Sequence, residues 1–175
     1  MYHHFENFLN VGKLIEDNDP AWILELGAGG GDNTHKLLDT GRKIIVVSDG
    51  EIPSGDECRG NLTWIYGLSY LEIPKLPGIP FAIVDTDHNG WTLDRELTLL
   101  EGKMIPPGIV CIHDTVSFSE KNGYAMRYMC GEPYDQEILD CKMTYTGALE
   151  AHLSKWKVIG KSKESCGAIA LKLGE

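Results

Sequence analysis

The chain has 175 residues, of which 42% are hydrophobic and 24% charged, the composition of one globular domain with a core of its own. A formal net charge of -10 argues against a surface that grips the phosphate backbone of nucleic acid, and leaves a small molecule or another protein as the expected partner. No apolar run approaches membrane-spanning length, and residues 1–10 lack the basic start and apolar middle of a secretory signal, so a soluble protein with no membrane association is expected.

In chain order, residues 5–16 place Phe5, Phe8, Leu9 and Ile15 on one helical face; the segment stops before Pro20, which cannot continue a helix. Residues 21–26 are a short apolar run ahead of a glycine cluster and read as a strand buried on both faces. Asp32 or Asn33 is placed to cap a short helix through Leu38, and Gly41 to end it in the left-handed conformation. Residues 43–48, rich in Ile and Val, predict a second buried strand and residues 61–66 a third. Between them, 49–60 is polar, contains Pro53 and glycines, and reads as a loop.

Pro74, Pro77 and Pro80 predict a short irregular connection into a fourth strand, 81–85, which ends in an acid. A helix over 93–100 and a fifth strand over 109–112, behind a Pro-Pro-Gly turn, complete an alternation that implies parallel pairing with helical layers. Residues 117–153 mix glycines, charges and aromatics without a clean period, and one or two helices are expected there. Residues 156–159 and 167–173 predict two strands joined by the charged turn 160–165, a hairpin that closes the sheet edge. The expected organisation is a single domain: a helix within 1–20, a core over 21–116, a variable segment over 117–153 and the hairpin over 154–175. Cys58, Cys111, Cys130, Cys141 and Cys166 are odd in number and scattered, and read as reduced thiols of a cytoplasmic protein.

The most informative segment is Glu25-Leu-Gly27-Ala28-Gly29-Gly-Gly31, between a buried strand and a helix. Glycines there let the backbone turn sharply and approach a ligand, with the free amides of the helix N-terminus facing the same place; a tight structural turn is the alternative. A dinucleotide fingerprint starting at Gly27 needs glycine where Asp32 stands, which counts against a diphosphate ligand and against a nucleotide-binding oxidoreductase. Glu25, a carboxylate just before the loop, suits a ligand carrying positive charge. Asp49, about twenty residues beyond the loop at the end of the second strand, is placed to accept the hydroxyls of a ribose, with Glu51 as the nearby substitute.

With these residues in view, the sequence resembles the class I S-adenosylmethionine-dependent methyltransferases, whose glycine loop has the form acid-x-Gly-x-Gly-x-Gly, matched by Glu25, Gly27, Gly29 and Gly31. Phe81-Ala-Ile-Val-Asp85-Thr-Asp87-His88, then Asp94, then the run from Pro107 through His113, Asp114 and Thr115 are similar to a subgroup with an Asp-Gly-Asp-His motif. The resemblance implies an α/β, doubly wound, mostly parallel Rossmann-like sheet of about seven strands with a C-terminal antiparallel hairpin. It implies that Gly27, Ala28 and Gly29 approach the methionine part of S-adenosylmethionine, that Asp49 holds the ribose and that the end of the third strand flanks the adenine. There the sequence departs from the pattern: Leu68 stands where relatives often have an acid, which leaves adenine recognition to backbone groups or Ser69. Thr86 likewise replaces the glycine of the motif.

In an open parallel sheet the ligand lies beyond the carboxyl ends of the strands, which should gather Asp85, Asp87, His88, His113 and Asp114 on the rim that carries the glycine loop. Similarity to metal-dependent O-methyltransferases implies that Asp85, His113 and Asp114 hold Mg2+ or another divalent cation, which would lower the pKa of a bound substrate hydroxyl. Without a metal, His88 or His113, beside Asp85, is placed to act as general base, or simply to hydrogen-bond a strand end and shape the rim. The expected function is methylation of an oxygen on a small molecule, by a monomer or a homodimer. The alternative is a relative that keeps the cofactor pocket without turnover. Trp22, Trp64 and Trp156 are expected in the core; Trp91 is placed for core or pocket, and Tyr124, Tyr128, Tyr134 and Tyr145 for a lid or for packing.

Overall fold

The computed structural model of the chain describes residues 10–52, 59–117, 137, 140–163 and 167–174. Its elements run α1 (Val11–Asn18), β1 (Trp22–Leu26), α2 (Asp32–Asp39), β2 (Lys43–Ser48), β3 (Leu62–Tyr66) and α3 (Ser69–Glu72), which continues as a 3-10 turn (Ile73–Lys75). They continue with β4 (Ile79–Val84), α4 (Gly90–Lys103), β5 (Met104–His113), α5 (Tyr145–His152), β6 (Trp156–Ser162) and β7 (Ala168–Leu173). The strands form one seven-stranded sheet in the order β3-β2-β1-β4-β5-β7-β6. β1 pairs in parallel with both β2 and β4, so the chain order reverses at β1, and the carboxyl ends of β1 and β4 open a crevice at that switch. β5 pairs in parallel with β4, and the β6–β7 hairpin adds antiparallel strands on its far side.

Period-2 alternation of apolar side chains divides the core between the two sheet faces. Leu24, Leu26, Ile45, Val47, Ala82 and Val84 pack toward α4 and α5, whereas Ile23, Ile44, Val46, Phe81 and Ile83 pack toward α1 and α2. Burying each large side chain contributes about 1.5–3 kcal/mol, so a one-residue slip of a central strand, which would exchange its two faces, is strongly disfavoured.

Several boundaries differ from the sequence expectation. A helix runs Val11–Asn18, two residues past the expected end, capped by the side chain of Asn10; Phe5, Phe8 and Leu9, which set the expected start, lie outside the described residues. α2 is capped by the left-handed backbone of Gly31 with no side-chain bond, so neither Asp32 nor Asn33 caps it. α4 begins at Gly90 because Asn89 accepts a hydrogen bond from the Thr92 amide at 2.9 Å, and it runs three residues beyond Leu100. The proline-rich connection folds into α3 and its 3-10 turn. β5 begins at Met104, opposite Ile79, and carries Pro106 and Pro107 on an exposed stretch where a proline removes no buried ladder bond.

The segment after β5 is tied at both ends. The Thr115 amide donates to Gly167 O at 3.3 Å, and the backbone of Met143 and Thr144 lies against the start of α4, where a Cβ on Gly90 would sit 2.1 Å from the Met143 carbonyl oxygen. Tyr124, Tyr128 and Tyr134 are outside the described residues; Tyr145 is buried in α5. No helix among the described residues is long and apolar enough to cross a membrane.

Candidate functional site

A cleft of about 490 Å³ lies along the carboxyl ends of the five parallel strands, lined by the glycine loop after β1 and by the residues that follow β2, β3, β4 and β5. Gly27 has φ 79°, and a Cβ there would meet the Asp85 carbonyl oxygen at 2.2 Å, so only glycine lets the loop pass beneath the end of β4. Gly29 and Gly30 face open space in the same cleft. The other loop residues named from sequence shape the turn without lining it. Glu25 is fully buried in β1, off the cleft lining, and accepts the Thr34 hydroxyl at 2.7 Å, which anchors α2. Ala28 packs into the core, and Gly31 accepts the His35 amide at 2.9 Å as the helix begins.

Asp49 and Gly50 form the wall after β2, and Leu68, Ser69 and Tyr70 the wall after β3. Leu68 is 42% exposed, an apolar surface on the cleft rim, whereas Ser69 is buried with its hydroxyl donated to Glu96. Asp87 lies on the opposite wall after β4; burial first, then repulsion from Asp49, pushes its carboxyl up to about 6. Two acids therefore line the cleft from opposite walls, where ligand hydroxyl groups could donate to them.

The end of the cleft formed by β4 and β5 holds four groups at close range. His88 Nε2 lies 2.6 Å from Asp114 Oδ2 and 3.2 Å from Asp85 Oδ1; His113 Nδ1 lies 3.2 Å from Asp114 Oδ2 and 3.4 Å from Asp85 Oδ1. Burial alone would favour neutral imidazoles, but the two carboxylates outweigh it and hold His88 at about 9 and His113 at about 10. Burial likewise opposes the charge on Asp85 and Asp114, and the two imidazoles overcome it, leaving both carboxyls below their usual range. Asp114 itself adopts φ 58°, the left-handed backbone that residues other than glycine rarely take. One ligand atom from each of the four residues falls within 4.8 Å of the others, an arrangement that fits a divalent cation taking carboxylate and imidazole donors. The structure thus adds His88 to the three residues named from sequence.

Glu96, overlooked in the sequence, is a fully buried acid on α4. Its carboxylate accepts the hydroxyls of Ser69 and Thr86, the latter at 2.8 and 3.0 Å. Burial drives its pKa up to about 7 against those two hydrogen bonds, with the charge of Asp87 adding to the rise. The signal was present: Glu96 sits with Leu93, Leu97 and Leu100 on the stripe of α4 that faces the core, where an acid needs partners. Tyr145 packs beneath the quartet and donates its hydroxyl to His113 O at 3.1 Å.

Other sequence candidates fall elsewhere. Trp91 does not line the cleft; it meets Tyr70 edge-on, with the Arg95 guanidinium 4.2 Å above its ring. Trp156 is core, while Trp22 and Trp64 are only half-buried against it. A second polar cluster joins α4 to α5: His152 meets Glu101 at 2.6 Å and Asp94 at 3.1 Å, and Glu101 also takes the Trp156 indole.

No family model matches the chain, and no curated protein matches it. Solved structures do match. The N-methyltransferase NodS from Bradyrhizobium japonicum is 10% identical with a TM-score of 0.65, over 95% of this chain and 93% of that one. The 1,6-didemethyltoxoflavin N1-methyltransferase of Burkholderia thailandensis, solved with S-adenosylhomocysteine, is 17% identical with a TM-score of 0.60, over 94% and 76%. The fold is the Rossmann-like methyltransferase fold. The methyltransferase MycE of mycinamycin biosynthesis, solved with Mg, S-adenosylhomocysteine and mycinamycin VI, gives a TM-score of 0.62 at 15% identity. That match covers 95% of this chain and 49% of MycE, so the chain spans about half the length of that enzyme.

Proposed function

We propose that the chain is an S-adenosylmethionine-dependent methyltransferase that methylates an oxygen of a small molecule, with a divalent cation held by the quartet. The observation that carries this reading is the sharing of one cleft by the Gly27 turn, the Asp49 carboxylate and the Asp85, His88, His113 and Asp114 quartet. Gly27 and Gly29 let the backbone lie against the methionine portion of the cofactor, and Asp49 accepts the ribose hydroxyls. The base then lies toward Leu68 and Ser69, and the transferable methyl group toward the quartet.

Methyl transfer needs an aligned, deprotonated acceptor. His88 and His113 each lie within ion-pair distance of both Asp85 and Asp114, which hold them protonated at neutral pH, so neither is a ready base until that proton is displaced. A divalent cation held by Asp85, His88, His113 and Asp114 would supply the acidity, lowering the pKa of a coordinated substrate hydroxyl. The same closed set of ion pairs also suits a cofactor binder without turnover.

The test is calorimetry with S-adenosylhomocysteine followed by a methyl-transfer assay on a hydroxylated substrate panel with Mg2+ or Mn2+. Wild type should bind, and Asp49→Ala should weaken binding by about tenfold or more, the loss of hydrogen bonds to a charged group. Absence of binding sinks the reading; binding without transfer on any acceptor selects the non-catalytic one.

A further inference from the structure

We infer that Glu96 acts through Ser69 and Thr86 to make the inner wall of the cleft an acceptor surface that selects a base carrying an exocyclic amino group. The inference rests on the proposed nucleoside-binding function.

The geometry gives each hydroxyl a fixed polarity. A serine or threonine hydroxyl has one proton to donate and two lone pairs to accept with. Ser69 and Thr86 both give that proton to the same buried carboxylate, Glu96, and both residues line the cleft. What they have left for a ligand is lone pairs. An amino group meets such a surface as a donor, whereas a carbonyl oxygen at the same place meets acceptors and is repelled. Buried polar groups left without partners make such discrimination steep.

Two departures from the family pattern then have one cause. Leu68 leaves the rim after β3 without an acid, and Thr86 replaces a glycine after β4. Here the acid comes from α4 instead, behind the wall, and Thr86 and Ser69 carry its polarity forward to the cleft. Glu96 is a positioning residue, since its carboxylate is sealed from the cleft by the two hydroxyls and is fully buried. The charged and titratable groups that act on it are Asp87 and His88 from the loop after β4 and Tyr145 from α5.

The experiment compares the binding of S-adenosylhomocysteine and its deaminated analogue, S-inosylhomocysteine, by calorimetry at pH 8 to wild type, Ser69→Ala, Thr86→Val and Glu96→Gln. Wild type is expected to prefer the adenine compound by about tenfold or more, the cost of confronting an acceptor wall with a carbonyl. Glu96→Gln, whose amide can donate to one hydroxyl and so release that hydroxyl's proton toward the cleft, should reduce the preference to about threefold or less. Ser69→Ala and Thr86→Val should each reduce it in part; melting curves confirm that each variant is folded, and these two keep the test informative if Glu96→Gln is not. Unchanged preference in all folded variants overturns the inference while leaving cofactor binding intact. Failure of wild type to bind either compound overturns the proposed function, and this inference with it.

Discussion

His88 Nε2 stands 2.6 Å from Asp114 Oδ2, so the imidazole that follows β4 is joined to the carboxylate that follows β5. With Asp85 and His113 completing the set, the two strand ends are held together by protons that a cation would have to displace.

Cation binding should therefore release protons. His88 at about 9 and His113 at about 10 are protonated at pH 7.5, and an imidazole must be neutral to ligate. Mn2+ titrations in buffers of different ionisation enthalpy should show release approaching two protons per ion, with affinity rising from pH 7 to 9. Binding whose heat is the same in every buffer would exclude coordination by the histidines.

Gly27 and Gly29 should respond differently to the same substitution. Gly27→Ala places a Cβ 2.2 Å from a backbone oxygen at φ 79°, so it should destabilise the fold by more than about 2 kcal/mol and abolish S-adenosylhomocysteine binding. Gly29→Ala meets no atom within 4 Å and has only its φ of 49° to overcome, about 1 kcal/mol, while its methyl group enters the cleft. Urea melts and calorimetry on the two variants check both halves; equal loss of stability would show that the loop does not press against β4.

Glu96 makes stability depend on pH. Its folded pKa of about 7 lies above the ordinary glutamate value of 4.5, so the folded state binds the proton more tightly. The stabilising effect of that proton is complete below 4.5 and is lost as pH rises to 7, at about 1.4 kcal/mol for each pH unit crossed between those two values. Glu96→Gln should remove this decline, so the difference in unfolding free energy between variant and wild type should move in the variant's favour from pH 4.5 to pH 7.5. Parallel pH profiles for the two proteins would place Glu96 in a solvated setting.

The cluster around His152 should matter to the fold and not to the ligand. His152→Ala removes the contacts to Glu101 at 2.6 Å and Asp94 at 3.1 Å, which tie α5 to α4, and should cost about 1–3 kcal/mol. S-adenosylhomocysteine affinity should stay within about twofold, because the cluster shares no residue with the cleft. A larger loss of affinity would show that α5 transmits strain to the quartet through Tyr145.

Much of this fold was legible from local pattern. The Ile- and Val-rich run at 43–48 forms β2 with the expected bounds, and the acid and histidine positions at 85, 88, 113 and 114 converge because parallel strands deliver their carboxyl ends to one edge. What escaped were features decided across the sheet. Glu25 reads as a ligand-facing acid until α2 brings Thr34 onto it, and the sequence does not show which partners meet Glu96 until α3 and the loop after β4 bring two hydroxyls to it. The start of β5 at Met104 was hidden for a related reason: two prolines argue against a strand, and only pairing with Ile79 extends it past them.

The described ends of the stretch between Thr115 and Thr144 are fixed at Gly167 on one side and against Gly90 on the other, so the end of β5 and the start of α5 are each positioned by a glycine that leaves room for a neighbouring backbone.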